Sequence, residues 1–329
     1  MNERRMLLRA SRCTVLAVAL ATSAQVDAAE AYPSKPIRIV VGFPPGGSND
    51  VIARILAPRL SEALGGHVII ENKPGANATI GTDFVAKAPP DGYTLTLGSV
   101  SPLVLSLFTY EKLSYDTQRD FAPVTTVAVT PEVVAVHPSL AAKDLKELVE
   151  LSKRKQVTLS SSGNGGLPHL AIELFKKLSH GDFLHVPYKG AGPAVTDAIA
   201  GHVDGIVIDV PAVSSHIRDG RLRALAITNS ARSPALPGVP AAGEQGFSEL
   251  LAVNWFAIMA PAKTPQTIVD QLHAAIVKVV AWPQVKEELA KVGVEPFTQP
   301  TPQAFRQFLA KEVARWEKIV KDSGARASE

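Results

Sequence analysis

The feature that most constrains the fold of this chain is a regular alternation of short β-branched runs with helical patterns. The run IRIVVGF (37–43) precedes a helical pattern from Asp50 to Leu64. HVIIEN (67–72) follows, and then GYTLTLGS (92–99) after the turn signal PPDG. Such alternation is typical of parallel strands joined by crossover helices. The sequence therefore predicts an α/β fold.

The alternation starts again after Pro131 and continues from EVVAVHP (132–138) to LRALAIT (222–228). PEVVAVHP and ALAIT are candidate crossings between two lobes. Two crossings imply that the first lobe is discontinuous, a shape that suits a clamp closing about a hinge. We predict one lobe from 29–126 and 229–329, and a second lobe from 127–228.

Two amphipathic helices are predicted in the C-terminal tail. Each follows a Thr-Pro pair, Thr264-Pro265 or Thr301-Pro302, in which threonine is a favoured N-cap and proline a favoured first-turn residue. Apolar residues recur at the spacing of a helix that packs on a core. These residues are Ile268, Leu272, Ile276 and Val279 in the first helix, and Phe305, Leu309, Val313, Trp316 and Val320 in the second.

The N-terminus has the pattern of an export signal. Arg4 to Arg12 form a basic segment, the apolar stretch 14–24 follows, and small residues precede a predicted cleavage near Ala28. We therefore expect 1–28 to be a signal peptide and the mature protein to be periplasmic. The chain's single cysteine, Cys13, lies inside this signal, so no disulfide or thiol nucleophile is expected in the mature protein.

The charge balance excludes one class of partner. The full chain carries a formal net charge of +3. Removal of the signal takes away four arginines and two acidic residues, which leaves 30 basic and 29 acidic residues. A nearly neutral protein has no electrostatic footprint for nucleic acid or an anionic membrane.

The stretch VVGFPPGGSND (40–50) is an unusually stiff corner between a strand and a helix. Ligands of open α/β sheets sit at such loops. Gly46 and Gly47 let backbone N–H groups approach a ligand closely, and a helix N-terminus favours an anion. The stretch lacks the GxGxxG and P-loop patterns, so nucleotide binding is unsupported. A tight turn without a ligand remains the alternative.

A second loop, SSSGNGGLPHL (160–170), has the same design: a strand, bare glycines and the start of a helix. Ser161, Ser162 and Asn164 add hydrogen-bonding side chains. With one such loop in each lobe, the two would grip an anion from opposite sides, and charge-assisted hydrogen bonds would contribute roughly 1.5–3 kcal/mol each.

The stretches already quoted, with VIIENKPGANATIGTDFVAKAPPDGYTLTLGS (68–99), HVPYKGAGPAVTDAIAGHVD (185–204) and WFAIMAPAKTP (255–265), resemble the Bug family. Bug proteins are periplasmic solute-binding receptors of tripartite tricarboxylate transporters. The resemblance covers nearly all of the mature chain, in family order. It implies a two-lobed Venus-flytrap fold, a small organic carboxylate ligand, a membrane permease as partner, a monomer, no cofactor and no catalysis.

The resemblance also implies a set of ligand-binding residues. In the family, the FPPGG and GNG loops grip a carboxylate from opposite lobes. By position the first lobe contributes Phe43, Pro44, Gly46, Gly47, Ser48, Asp50, Asn77 and Ser99. The second lobe contributes Ser162, Gly163, Asn164, Gly165, His169, Tyr188, Lys189 and Asp209.

The chain departs from the family pattern at two places. The family usually has one or two hydroxyl residues after GNG, where this chain has Gly166 and Leu167. Many members carry an aspartate that meets the ammonium of an amino-acid ligand. The position that corresponds to this aspartate is Ile208 here, and Asp209 follows one residue later. A one-residue shift turns a strand side chain to the opposite face of the sheet. This argues against an amino-acid ligand, while Asp209 is expected to reach the cleft from the strand end.

Other functions find less support in the sequence. Ser48 and Ser162 lie on suitable loops for a nucleophile but lack the GxSxG pattern of a serine hydrolase. The histidines show no HxxxH or HxH spacing, so no metal site is predicted. Trp255 and Phe256 are expected to pack in the core, with stacking on an aromatic ligand as the alternative. A periplasmic carboxylate sensor that reports to a signalling system remains the alternative function.

Overall fold

The computed structural model describes residues 32–323 and 326–327, and the predicted signal peptide lies outside them. The strands are β1 (Ile37–Val41), β2 (Val68–Asn72), β3 (Thr94–Ser99), β4 (Phe121–Val136), β5 (Val157–Ser161), β6 (Phe183–Pro187), β7 (Gly205–Asp209), β8 (Arg223–Ile227), β9 (Val253–Pro261) and β10 (Glu295–Pro296). The helices are α1 (Ser48–Leu64), α2 (Thr79–Ala86), α3 (Ser106–Thr109), α4 (Thr117–Asp120), α5 (Leu145–Ser152), α6 (Leu167–Ser179), α7 (Ala191–Ala200), α8 (Val210–Arg218), α9 (Gln266–Val280), α10 (Pro283–Lys291) and α11 (Pro302–Ser323).

The strands follow the order β2-β1-β3-β9-β4-β7-β5-β6, and β8 and β10 also pair with β4. β1 is parallel to β2 and β3, and β5 is parallel to β6 and β7. The alternating pattern predicted parallel pairing for these strands, but it also covered 132–138 and 222–228, which form the end of β4 and β8 and pair antiparallel. The predicted α/β class is therefore confirmed.

The long strand β4 joins the two halves of the sheet. Its pairing with β9 ends at Pro131, opposite Val253, and its pairing with β7 begins at Glu132, opposite Asp209. β4 therefore lies between β9 and β10 in its first part and between β7 and β8 in its second part. The change of partners falls a few residues after the lobe boundary predicted at 126/127, and that boundary stays a prediction.

Besides the two-residue strand β10, two pieces of the sheet had no counterpart in the sequence-based prediction. The first part of β4, from Phe121 to Pro131, and the whole of β9 are strands. Both are antiparallel and buried almost throughout. The prediction that Trp255 packs in the core is confirmed, because it is 2% exposed and its indole N–H donates to Glu312 Oε2 at 2.9 Å.

The two Thr-Pro pairs of the tail behave differently. Thr301 caps α11 as predicted, because its hydroxyl accepts the Ala304 N–H at 3.0 Å. The same prediction for Thr264 is wrong. Its hydroxyl donates instead to the carbonyl of Pro261 at 2.8 Å, and α9 begins one residue later, after Pro265.

Four helices follow the carboxyl ends of strands, either directly or after a short loop: α1 after β1, α6 after β5, α7 after β6 and α8 after β7. The carboxyl ends of strands are where α/β proteins bind ligands. Within the described part of the chain, no helix has both the length and the apolar character needed to cross a membrane.

Candidate functional site: a cleft where helix N-termini converge

The carboxylate of Asp50 stabilises the corner between β1 and α1. The carboxylate accepts hydrogen bonds from the Gly46 N–H at 3.0 Å, Arg54 Nε at 2.9 Å and Asn72 Nδ2 at 2.9 Å. Gly46 has φ +87°, a left-handed conformation that favours glycine. Gly47 is the N-cap of α1, and no side chain caps this helix. Asp50 therefore fixes the shape of the turn, and no side chain covers the N-terminus of α1.

The ionisation of Asp50 fits this structural role. Burial by itself raises the pKa of Asp50, but the hydrogen bonds from Arg54, Gly46 and Asn72 outweigh it and hold the pKa below its ordinary value. The ionised carboxylate is thus the form that fixes the corner.

The loop between β5 and α6 is held by two histidines. His169 Nδ1 accepts the Gly165 N–H at 3.0 Å, and the His169 ring stacks on His185 with centroids 4.0 Å apart. His185 Nε2 in turn lies 2.6 Å from the Ser161 hydroxyl. His169 and His185 therefore support the loop from its buried side.

Both imidazoles are kept neutral by their surroundings. Burial lowers the pKa of His169 below its ordinary value, although Glu173 opposes the shift. Burial, followed by the neighbouring His169, lowers the pKa of His185 to about 3. A neutral His169 has an acceptor lone pair on Nδ1 for the Gly165 N–H, which a protonated ring lacks.

An inner pocket of about 40 Å³ lies where the two loops meet. The first turns of α1, α6 and α7 and the N-cap residue of α8 all contribute to its wall. Its lining is rich in hydroxyl and amide groups and contains one charged side chain, that of Asp209. The lining residues are Phe43, Pro44, Pro45, Gly47, Ser48, Asn49, Ser99, Ser101, Ser162, Pro168, Ala191, Gly192, Asp209 and Asn254.

A wider outer cleft of about 710 Å³ adjoins this pocket and shares Phe43, Pro44 and Ser162 with it. Lys189 brings a cation to its wall. The remaining lining residues are Gly42, Pro74, Gly75, Ala76, Asn77, Ala78, Tyr110, Gly163, Asn164, Pro187, Tyr188 and Gly190.

The walls of the cleft touch each other at its inner end. The Leu167 N–H donates to the Ser101 hydroxyl at 3.0 Å. A Cβ placed on Gly166 would lie 3.1 Å from Asn77 Oδ1. The missing side chain of Gly166 therefore allows the two walls to approach closely at Asn77.

Asp209 lies at the floor of the inner pocket. It is 9% exposed, and Asn254 Nδ2 donates to its Oδ2 at 3.3 Å. Burial raises the pKa of Asp209, while hydrogen bonds from Ser48 and Asn254 oppose the shift. Ile208, its neighbour, faces the core and is fully buried. The strand end thus presents Asp209 to the pocket.

Behind Asp209 lies a second buried carboxyl group, Glu132, directly opposite it in the β4–β7 pair. Glu132 is 0% exposed, and neither of its carboxyl oxygens has a hydrogen-bond partner among the described residues. Burial, and then the charge of Asp209, raise the pKa of Glu132 well above its ordinary value.

Twelve of the sixteen residues predicted from the sequence line the inner pocket or the outer cleft. The other four lie elsewhere: Asp50 and His169 beneath the loops, Gly165 against Thr109, and Gly46 beside a separate surface groove. Sequence reasoning missed Ser101, Asn254 and Glu132. The serine follows the predicted strand end by two residues, whereas Asn254 belongs to the unpredicted strand β9.

Metal-binding groups are not assembled in the described residues: no cluster of three histidine, cysteine, aspartate or glutamate side chains is placed to hold a metal ion. The polar groups of the cleft are mainly hydroxyl, amide and backbone N–H donors. Such a set is suited to hydrogen-bonding an organic anion.

Residues 52–325 match the family model for the tripartite tricarboxylate transporter family receptor. The protein BugT of Bordetella pertussis (strain Tohama I) is 40% identical over 312 residues, which cover 94% of this chain and 95% of that protein.

Two solved structures are similar over nearly their whole length. The periplasmic binding protein BugD superposes with a TM-score of 0.85 at 30% identity, covering 90% of this chain and 100% of that chain. Rpa4515 of R. palustris with adipate superposes with a TM-score of 0.86 at 32% identity, covering 90% of this chain and 99% of that chain.

Proposed function

Because this chain belongs to the tripartite tricarboxylate transporter receptor family, we propose that it captures a small organic carboxylate in its cleft and delivers it to the permease of such a transporter. Its relatives are periplasmic solute-binding proteins with a two-lobed fold, and they are substrate-binding proteins rather than enzymes. The ligand and the delivery step are the parts that need testing.

The observation that carries the proposal is the convergence of helix N-termini on the inner pocket. Each helix N-terminus presents backbone N–H groups and the positive end of the helix dipole, and each favours an anion by typically 0.3–1 kcal/mol. Side-chain donors from Ser48, Ser99 and Asn254 surround the same space. A carboxylate is the small anion that such a set of donors binds with directional hydrogen bonds.

Adipate in the related Rpa4515 supports a dicarboxylate as the ligand class. In this chain the inner pocket would hold one carboxylate, and Lys189 in the outer cleft would face the other. We assign ligand contacts to the twelve predicted residues that line the two spaces. Gly46, Asp50, Gly165 and His169 would act by shaping the loops.

The organisation of the chain follows from this function. The predicted lobes, 29–126 with 229–329 and 127–228, would close on the ligand about the strand β4. A signal peptide, 1–28, would export the chain, and cleavage near Ala28 would release a monomeric periplasmic receptor.

A thermal-shift screen of the mature chain, residues 29–329, tests ligand capture. The panel contains dicarboxylates, tricarboxylates, aromatic acids, amino acids and sugars, added after unfolding and refolding to remove any carried-over ligand. A ligand that binds only the folded state at 100 times its Kd stabilises by about 2.7 kcal/mol. A shift confined to carboxylates supports the proposal. A shift with sugars alone, or with no compound, would contradict it.

Delivery needs a separate measurement. Radiolabelled ligand uptake is compared between cells with and without the receptor, in the presence of a tripartite permease. Receptor-dependent uptake is the expected result. Ligand binding without any effect on uptake would favour a sensor that reports the same ligand to a signalling system.

A further inference from the structure

The inner pocket combines two features that oppose each other electrostatically. Helix N-termini favour an anion there, yet the one charged side chain in the lining is an acid, Asp209. Two carboxylates at hydrogen-bond distance repel strongly in a buried site, and one of them must then take up a proton or find a donor.

Among the described residues, no basic side chain hydrogen-bonds to Asp209 or shifts its pKa. Glu132 from β4, Ser48 from α1 and Asn254 from β9 face it, and Glu132 is the titratable group among them. On α8 itself, the basic residues His216 and Arg218 lie in the last turn, and His216 lines a surface groove that meets the inner pocket at Ala191 and Gly192. Hydrogen bonds from Ser48, from Asn254 and from its own backbone N–H stabilise the charge of Asp209 in part, but burial outweighs them.

Glu132 makes ionisation of the pair still less favourable. It lies opposite Asp209 in register, so the two side chains project from the same face of the sheet. Its own carboxyl group is fully buried and lacks a hydrogen-bond partner in the described chain. The negative charge of a ligand carboxylate would be added to this arrangement.

On the basis of the proposed function, we infer that the cleft binds its carboxylate ligand together with one proton, taken from solvent and held by the Asp209–Glu132 pair. Asp209 then donates its O–H to a ligand carboxylate oxygen. No covalent bond of the ligand changes, and the proton returns to solvent when the ligand leaves.

The direction of the pH dependence follows from mass action. A complex that holds one more proton than the free protein and free ligand becomes weaker as pH rises, by up to tenfold per pH unit. Burial of Asp209 in the closed cleft is consistent with this direction, because desolvation favours its neutral form.

The test is calorimetric titration of the mature chain with adipate and with the best acid of the thermal-shift panel. Titrations are run in buffers of different ionisation enthalpy between about pH 6.5 and pH 8.5. Adipate is fully ionised in this range, so any proton taken up on binding is taken up by the protein. The slope of the observed enthalpy against buffer ionisation enthalpy gives the protons taken up per ligand.

We expect uptake approaching one proton and an affinity that falls with rising pH. Asp209→Asn keeps a donor without a titratable proton, so its uptake should vanish and its affinity should become flat with pH. Glu132→Gln should retain uptake and shift its midpoint to lower pH. Asp219→Asn, at the exposed C-terminal end of α8, is the matched control and should behave as the unchanged protein.

Two outcomes would overturn the inference while leaving the proposed function in place: binding with no proton uptake over the whole range, or loss of binding in Asp209→Asn. The second would mean that ionised Asp209 accepts a donor from the ligand, such as an ammonium group. If no acid binds, the proposed function fails together with the inference.

Discussion

The backbone N–H of Leu167 donates a hydrogen bond of 3.0 Å to the hydroxyl of Ser101, and this bond crosses the inner end of the cleft. Ser101 follows β3 in the half of the sheet that contains β9, whereas Leu167 is the first residue of α6, which follows β5. A first-turn N–H that would otherwise be unpaired is thus satisfied when the cleft walls meet.

Ser101→Ala should weaken ligand binding. Loss of the acceptor leaves the Leu167 N–H unpaired in the closed cleft, which costs about 1 kcal/mol, or roughly fivefold in affinity. Calorimetric Kd values for the variant and the unchanged protein measure this effect. The exposed Ser248→Ala serves as the control, and equal affinity in the two variants would contradict a role for this bond in closure.

Gly47→Val should abolish binding and leave the fold intact. Gly47 has φ −77°, which any residue can adopt, and a Cβ there would meet only the Pro44 carbonyl at 3.8 Å. The added side chain would instead occupy the inner pocket, so we expect a loss of at least about 100-fold in affinity, or 2.7 kcal/mol.

Gly46→Ala provides the contrast at the neighbouring position. With φ +87°, Gly46 adopts a conformation that strains an alanine, so this variant should lose stability by about 1 kcal/mol. Thermal unfolding of both variants separates the loss of stability expected for Gly46→Ala from the loss of binding expected for Gly47→Val. A Gly47→Val protein that melts normally and binds with unchanged affinity would refute the assignment of the pocket.

Asp50→Asn should lower stability in a pH-dependent way. Folding lowers the pKa of Asp50 below 3.8, so its ionised form contributes stability above that pH, and the contribution is lost as pH falls through the lowered pKa. Because Arg54 is half exposed, we expect a modest loss of about 1–2 kcal/mol at neutral pH.

Denaturant unfolding, followed from neutral to acidic pH, measures the difference in free energy of unfolding between the Asp50 variant and the unchanged protein. This difference should become smaller below pH 3.8. A difference that stays constant with pH would show that the asparagine acts through packing and not through the lost charge.

Glu132→Gln should have the opposite effect. Burial raises the pKa of Glu132 above 4.5, so the folded protein holds a proton that the unfolded chain releases, and stability falls as pH rises above 4.5. Glutamine removes this dependence and should therefore make the protein more stable at neutral pH.

The higher stability of the Glu132→Gln variant should disappear as pH falls towards 4.5. Denaturant unfolding at several pH values gives the comparison, with Glu249→Gln in an exposed turn as the control. If the glutamine variant were less stable at neutral pH, Glu132 would have an ionised partner in solution.

His169→Leu should weaken ligand binding more than His169→Asn. Asparagine offers an oxygen near the position of Nδ1 and can still accept the Gly165 N–H, whereas leucine leaves it unpaired at a cost of about 1–3 kcal/mol. The affinity of the unchanged protein should also fall as pH drops below 6.5, because protonation removes the acceptor. Calorimetry across this pH range should show that the ligand affinity of His169→Asn depends less on pH than that of the unchanged protein. An equal pH dependence of affinity in the two proteins would argue that His169 does not support the loop.

Much of the fold could be predicted because its parallel strands and crossover helices leave a local pattern. β9 and the first part of β4 left no such signal, since both are central antiparallel strands whose neighbours come from distant parts of the chain. The Thr-Pro pairs carry the same local signal at both helices, yet Thr264 turns back to Pro261. Tertiary context decided between a cap and a turn.

For the candidate site, glycine-rich loops before helices marked the two main elements of the cleft. The position of Asp209 at a strand end also followed from the sequence. The pairing of Asp209 with Glu132 could not be predicted, because it depends on the register of two strands more than 70 residues apart. Asp50 and His169 were predicted as ligand contacts, whereas in the folded protein both support the loops through backbone N–H groups.

The shared strand β4 has a consequence for engineering receptors with new ligands. Its residues up to Pro131 pair with β9, and those from Glu132 pair with β7 and β8. A chimaera that exchanges one half of the molecule for that of a relative must therefore be spliced inside a continuous hydrogen-bonded ladder. Ligand preference in this architecture would be transferred more safely by grafting loops than by exchanging lobes.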